Sequence, residues 1–196
     1  MSKFYAVKKG RQSGIFSSWN ECEKQVKGFP GSLYKSFVSK EEAEAFLDEN
    51  PKMIIDHDGL IAYVDGSYNQ KNKQYGYGCV LLHGQQVVAQ YYGKGEHPDY
   101  VTMRNVAGEI AGAQKAIEYA IENQYPLICI YYDYEGIEKW ANRDWKANKA
   151  GTIAYQKFIE KSRQQIQINF VKVLAHSGDF YNEMADSLAK KAVGIQ

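Results

Sequence analysis

A mixed five-stranded α/β sheet flanked by helices, preceded by a small α+β unit, is the fold class that the sequence predicts. Three observations lead to it. Residues 60–95 hold three runs rich in β-branched and aromatic residues, LIAYVDGSY, YGYGCVLLHG and QVVAQYYGKG, with turn formers between them. From residue 104 onward, helical and strand-like segments alternate, which is the pattern of helices packed on a sheet. Residues 1–48 carry a separate strand, strand, helix, strand, helix series that ends where ENPKMIIDHD turns polar.

The elements follow in order. KFYAVKKG reads as a strand, GIFSSW as its hairpin partner, and NECEKQVKGF as a helix beginning near Asn20. LYKSFVS is a third strand and KEEAEAFLDEN a second helix, with Ser39 and Glu42 spaced as a capping box. So small a unit has little core, and function is a reason for keeping it. Residues 49–58 read as a linker, and 59–196 as the second domain. After its three opening strands come a long helix over 104–123, the strand PLICIYYD, and a helix or helix pair in YEGIEKWANRDW. A helix in TIAYQKFIEKSRQQ, the strand INFVKVLA and the closing helix YNEMADSLAKKAVG complete it.

The net charge of +1 says nothing about partners, but its distribution does. Residues 1–40 carry eight Lys or Arg against Glu21 and Glu23. Either this basic surface meets an anionic partner, or it is a solvated face offset by the acidic run that follows. Cys22, Cys79 and Cys129 lack metal-ligand spacing and read as reduced thiols of a cytoplasmic protein. No signal or transit peptide is read at the start. No apolar run approaches the ~18–20 residues that span a bilayer, so no membrane partner is expected.

Four carboxylates stand out: Asp65 on the first strand of the second domain, Glu109 about a turn into the long helix, Asp133 ending the fourth strand, and Asp186 in the last helix. Taken alone, Asp133 reads as a helix N-cap. The first strand and the strand after the long helix are expected neighbours, which would bring Asp65 and Asp133 together with Glu109 and Asp186 above them. Clustered carboxylates repel unless a cation lies between them, and hard divalent ions prefer oxygen ligands. Two such ions about 4 Å apart suit displacement at phosphorus.

The motifs VDGSY, RNVAGE, YYD and HSGDFYNEMADSLA, in this order, resemble the catalytic domain of type 1 ribonucleases H over residues 60–196. FYAVKKGRQSGIF, SWNECEKQVKGFPGSLYKSF and EEAEAFL are similar to the viroplasmin-like, hybrid-binding domain that precedes it in eukaryotic-type members. Departures exist. NQKNKQYGYG replaces the family's Gly-Asn-Pro-Gly loop, Val106 takes a usually polar position, and Tyr132 and Tyr134 flank Asp133 in place of Thr and Ser. The basic protrusion of some members is absent, and a second lysine after Lys35 is Ser36.

The resemblance implies an endonuclease that hydrolyses the RNA strand of RNA–DNA hybrids by a two-metal mechanism, leaving 5′-phosphate and 3′-hydroxyl ends. Two Mg²⁺ ions, replaceable by Mn²⁺, would be held by Asp65, Glu109, Asp133 and Asp186, with His176 assisting proton transfer or product release. Thr102, Arg104 and Asn105 fall where the family grips a DNA phosphate, with the first two residue types in exchanged order. Trp140 and Trp145 fall at its DNA channel, and Tyr5, Trp19, Tyr34 and Lys35 at the hybrid-binding contacts. Each has a plainer reading. His176 is a surface residue, Arg104 a solvated helix start, Trp140 or Trp145 a core ring, and Trp19 and Tyr34 the filling of a small core. Asn182 and Glu183 are contacts behind the metal ligands or to the minor groove, or else capping residues. The expected partner is a hybrid duplex, with no obligate protein partner. The alternatives are a non-catalytic hybrid or double-stranded RNA binder, and a DNA-directed nuclease of the same fold.

Overall fold

The computed structural model describes residues 3–47, 59–95, 97–173 and 179–195, without the side chains of residues 41, 42 and 45. The linker read over 49–58, His176, and the Glu42 half of the capping box lie outside the described residues. The chain divides into two compact units, Met1–Ile54 and Ile55–Gln196.

In the first unit, β1 (Phe4–Lys9) is the centre of an antiparallel sheet between β2 (Gly14–Phe16) and β3 (Leu33–Phe37). Helix α1 (Trp19–Val26) starts one residue before the expected Asn20. Ser18 is its N-cap: the hydroxyl accepts from Glu21 N–H at 3.3 Å and donates to the Glu21 carboxylate at 3.1 Å. Arg11 closes the other end, donating from Nη1 to the carbonyls of Lys24 and Lys27. Cys22 and Val26, four residues apart on α1, pack on Val7 with Tyr5 and Phe16 beside them. Helix α2 (Lys40–Leu47) contributes the buried Ala43.

The second unit is the five-stranded mixed sheet that the sequence predicts, with its strands in the order β6-β5-β4-β7-β8. β4 (Leu60–Asn69), β5 (Gln74–His83) and β6 (Gln86–Gly95) form an antiparallel meander. β7 (Leu127–Tyr132) and β8 (Gln167–Lys172) run parallel to β4, reached through helices. The short α3 (Pro98–Val101) precedes α4 (Asn105–Glu122), while α5 (Gly136–Ala141) and α6 (Ala150–Ser162) link β7 to β8. The chain closes with α7 (Phe180–Ala192). In YEGIEKWANRDW only Gly136–Ala141 is helical, and the chain turns at Arg143 with φ +63°.

Helix α4 packs Ala113, Ala116, Ile117 and Ala120, at helical spacing, against Leu60, Ala62 and Val64 from one face of β4. Helix α7 covers the opposite face. Both helices lie unusually low. A Cβ on Gly66 would stand 2.1 Å from the Asn105 carbonyl, and one on Gly78 1.9 Å from that of Ala185. Glycine at these strand positions sets the height of the two helices that carry Glu109 and Asp186. Among the described residues, no helix is long and apolar enough to cross a membrane.

Candidate active site

Parallel pairing sets the first contact. Tyr63 on β4 lies opposite Tyr131 on β7. Two residues further along each segment come Asp65, still on β4, and Asp133, just past the end of β7. The glycine after Asp65 admits the first turn of α4, and with it Glu109. Asp65, Glu109 and Asp133 each offer a carboxylate oxygen within 4.8 Å of the others.

The electrostatics of this cluster are unfavourable without a cation. Burial pushes the Asp65 carboxyl up to about 7, and the charges of Asp133 and Asp186 add to it. The Gly66 N–H, donating to Asp65 Oδ1 at 2.6 Å, and nearby Lys190 work the other way. Glu109 is only 2% exposed. Its carboxyl lies well above the usual range, through burial first and then through Asp133 and Asp65. Glu109 Oε1 accepts from Asn105 Nδ2 at 3.4 Å, while Oε2 is buried with no hydrogen-bond partner among the described residues. A buried carboxylate with one orphaned oxygen, clustered with two other carboxylates, fits a divalent cation that takes oxygen ligands.

Asp186 lies near enough to Asp65 to raise it, but stands outside the three-carboxylate group and pairs with Lys190 Nζ at 2.6 Å. Sequence reading passed over Lys190, although the i, i+4 spacing from Asp186 is a signal for it. Asp133 is not at the N-cap position of α5, which Glu135 occupies.

The remaining predicted residues fall into three groups. Arg104 is the N-cap of α4 with φ +54° and ψ −129°, a strained conformation for a residue with a side chain, and makes no side-chain cap bond. Thr102 Oγ1 donates to the Asp99 carbonyl, and Asn105 is held by Glu109. Trp140 and Trp145 are edge to face at 5.7 Å, with Trp145 exposed. Tyr134 packs against both rings, and its hydroxyl is pushed up by burial first and then by the charge of Glu109. In the first unit Trp19 sits between Tyr5 (5.8 Å) and Tyr34 (5.7 Å), with Trp19 41% and Tyr34 43% exposed. Trp19 and Tyr34 are not that unit's core, which is built on Val7, Cys22 and Val26 with Tyr5 packed against it. Lys35 alternates to the other face of β3 and lies over Phe37, apart from these three rings. Asn182 and Glu183 are not the cap of α7. Asp179 takes that place, accepting from the Tyr181 and Asn182 N–H groups, and Asn182 is buried.

Residues 57–194 match the family model described as RNase H. The chain belongs to the ribonuclease H family. Residues 3–47 match a second model, described as the ribonuclease H1 N-terminal domain. Human ribonuclease H1 is 28% identical over 96% of this chain and 88% of its own length. The ribonuclease H of Saccharomyces cerevisiae is 54% identical over 46 residues, 24% of this chain and 13% of that protein. Among solved structures, ribonuclease H1 of the archaeon Halobacterium salinarum superposes on 69% of this chain and 98% of its own with a TM-score of 0.59 at 21% identity. LC11 ribonuclease H1, solved in complex with an RNA/DNA hybrid, gives 0.55 over 68% of this chain and 99% of that one at 14% identity. These two structures share the ribonuclease H fold of the second unit.

Proposed function

We propose that this chain is an endoribonuclease that hydrolyses the RNA strand of RNA–DNA hybrids, using two Mg²⁺ ions held by Asp65, Glu109, Asp133 and Asp186, with Mn²⁺ able to replace them. The observation that carries this reading is the Asp65, Glu109 and Asp133 cluster, with one oxygen of each within 4.8 Å of the others, and with Glu109 Oε2 buried and unpartnered among the described residues. When bound, the ions supply the positive charge that stabilises both the attacking and the leaving oxygen of an in-line displacement. The protein prepares the site for them. Gly66 N–H fixes one Asp65 oxygen, Asn105 orients Glu109, and Lys190 holds Asp186 at the edge. His176 is assigned proton handling near neutral pH. Tyr134, Trp140 and Trp145 offer ring faces to the sugars of the DNA strand, while Tyr5, Trp19 and Tyr34 offer a second such surface in the first unit. Human ribonuclease H1, similar over nearly the whole chain, supports the assignment. The 2′-hydroxyl groups then serve recognition of RNA, and the products carry 5′-phosphate and 3′-hydroxyl ends. The three cysteines are free and buried, which supports a reducing compartment such as the cytoplasm.

The test compares an end-labelled hybrid with DNA of the same sequence, in Mg²⁺ and in chelator. Cleavage of the RNA strand in Mg²⁺ alone is expected. Cleavage of the DNA duplex at a similar rate, or of the hybrid in chelator, would overturn the proposal.

A further inference from the structure

Strand alternation puts Tyr63, Asp65, Ser67 and Asn69 on one face of β4. Helix α7 lies on that face. Gly78, opposite Asp65, has Ala185 against it, and Gly76, opposite Ser67, has Ala189. Bare backbone under a helix gives close contact but no side chain to stop it sliding along its axis. A slide of one residue is about 1.5 Å. A misplacement of about 1 Å near reacting groups costs on the order of 10²-fold in rate.

Two side-chain links oppose such a slide, one at each end of the helix. At the start, the buried Tyr63 ring meets Tyr181 in the first turn of α7 and its hydroxyl lies beside the Asp179 carboxylate, which caps α7 by accepting from the Tyr181 and Asn182 N–H groups. The Tyr63 ring is stacked on Tyr131 at 4.5 Å and tilted against Tyr181 at 5.5 Å, so its hydroxyl is held in place. At the finish, Asn69 Nδ2 donates to the Val193 carbonyl at 2.8 Å. The dimensions match. Asp179, Asp186 and Val193 are spaced seven residues apart, so the helix spans about 21 Å between its linked ends. Tyr63 to Asn69 is about 20 Å of strand at about 3.4 Å per residue. Asp186 falls midway, beside Asp65.

We propose that Tyr63 and Asn69 are positioning residues that pin α7 to β4 at both ends and so fix the axial register at which Asp186 faces Asp65. The proposal rests on reading these carboxylates as a metal site.

Two conservative substitutions in the full chain test it. Tyr63→Phe keeps the ring stack and removes the hydroxyl. Asn69→Asp keeps the Oδ1 that accepts from Lys71 and Asn72 N–H and removes the donor to Val193. Each single variant is expected to lower kcat about 3–10-fold with KM for hybrid within about twofold. The double variant should lose more than the product of the two, about 100-fold or more, since one remaining pin still holds the helix and none does not. Mg²⁺ titration of thermal stability, without substrate, should show the midpoint raised at least about threefold in the double variant. A double variant equal to the product of the singles, or an unchanged Mg²⁺ midpoint, would overturn the proposal, as purely structural links would lower melting temperature alone. If the wild-type chain takes up Mg²⁺ but leaves hybrid uncut, the ribonuclease reading fails and the pins stand or fall on the titration.

Discussion

Replacing Asp133 by Asn tests the carboxylate cluster through stability as well as activity. The three carboxylates converge within 4.8 Å. Two unit charges at that distance repel by about 3.5 kcal/mol at an effective dielectric of about 20. Asp133 is the second cause, after burial, of the raised Asp65 carboxyl, and likewise of the raised Glu109 carboxyl. Both groups therefore hold protons in the folded state that they have released in the unfolded one. Stability from this source is fully present below the unfolded pKa values, falls as pH rises toward about 7, where Asp65 titrates when folded, and stays low above it. In chelator, the wild-type chain should lose stability across that window. Asp133→Asn should lose less, because its contribution to the repulsion is gone while burial remains. The expected advantage of the variant is near zero at pH 4 and on the order of 2–4 kcal/mol at pH 8. For a unit of this size that is roughly 6–15 °C in melting temperature. Calorimetry of both proteins from pH 4 to 8.5 measures it. In Mg²⁺ the order should reverse, and hybrid cleavage should be abolished. A variant no more stable than wild type at pH 8 in chelator would show that Asp133 does not crowd the other two.

Three further outcomes are expected. Gly78→Ala, with its Cβ 1.9 Å from the Ala185 carbonyl, should destabilise by about 3 kcal/mol or more, whereas Gly112→Ala, nearest Gly78 O at 3.2 Å and relieving a mid-helix glycine, should change stability by less than about 1 kcal/mol; equal melting temperatures would refute the close seating of α7. His176→Ala should slow cleavage by about one to two orders of magnitude without abolishing it, and a rate matching wild type from pH 6 to 9 would return it to the surface residues. A chain beginning at Gly59 should still cut hybrid but bind it more weakly. In an inactive Asp133→Asn background its log K against log salt should be shallower by ~0.7–0.9 for every phosphate that the first unit neutralises in the full chain, and equal slopes would mean that this unit does not hold the duplex.

What the sequence reveals follows from the range of each signal. Strand alternation and helical spacing are local, so the five strands and long helices of the second unit are readable, and α4 begins within a residue of its expected start. The carboxylates are readable because their motifs sit on those elements. Harder to read is whatever depends on a face or on a partner far along the chain. Lys35 follows Tyr34 directly in the sequence, yet the pleat of β3 sends it to the opposite face, over Phe37. Tyr134 stands out only as a departure after Asp133, and folding packs it against both tryptophans. Asp179 looks like one more polar residue in a loop, and its link to Tyr63 joins positions more than a hundred residues apart. Motif residues declare what can bind a cation. The residues that determine where those ligands stand relative to one another, the glycines under α4 and α7 and the pairs at the ends of α7, do not declare that role even where they fall inside a motif, as Gly66 and Asp179 do, because it is defined by distances that exist only after the sheet has formed.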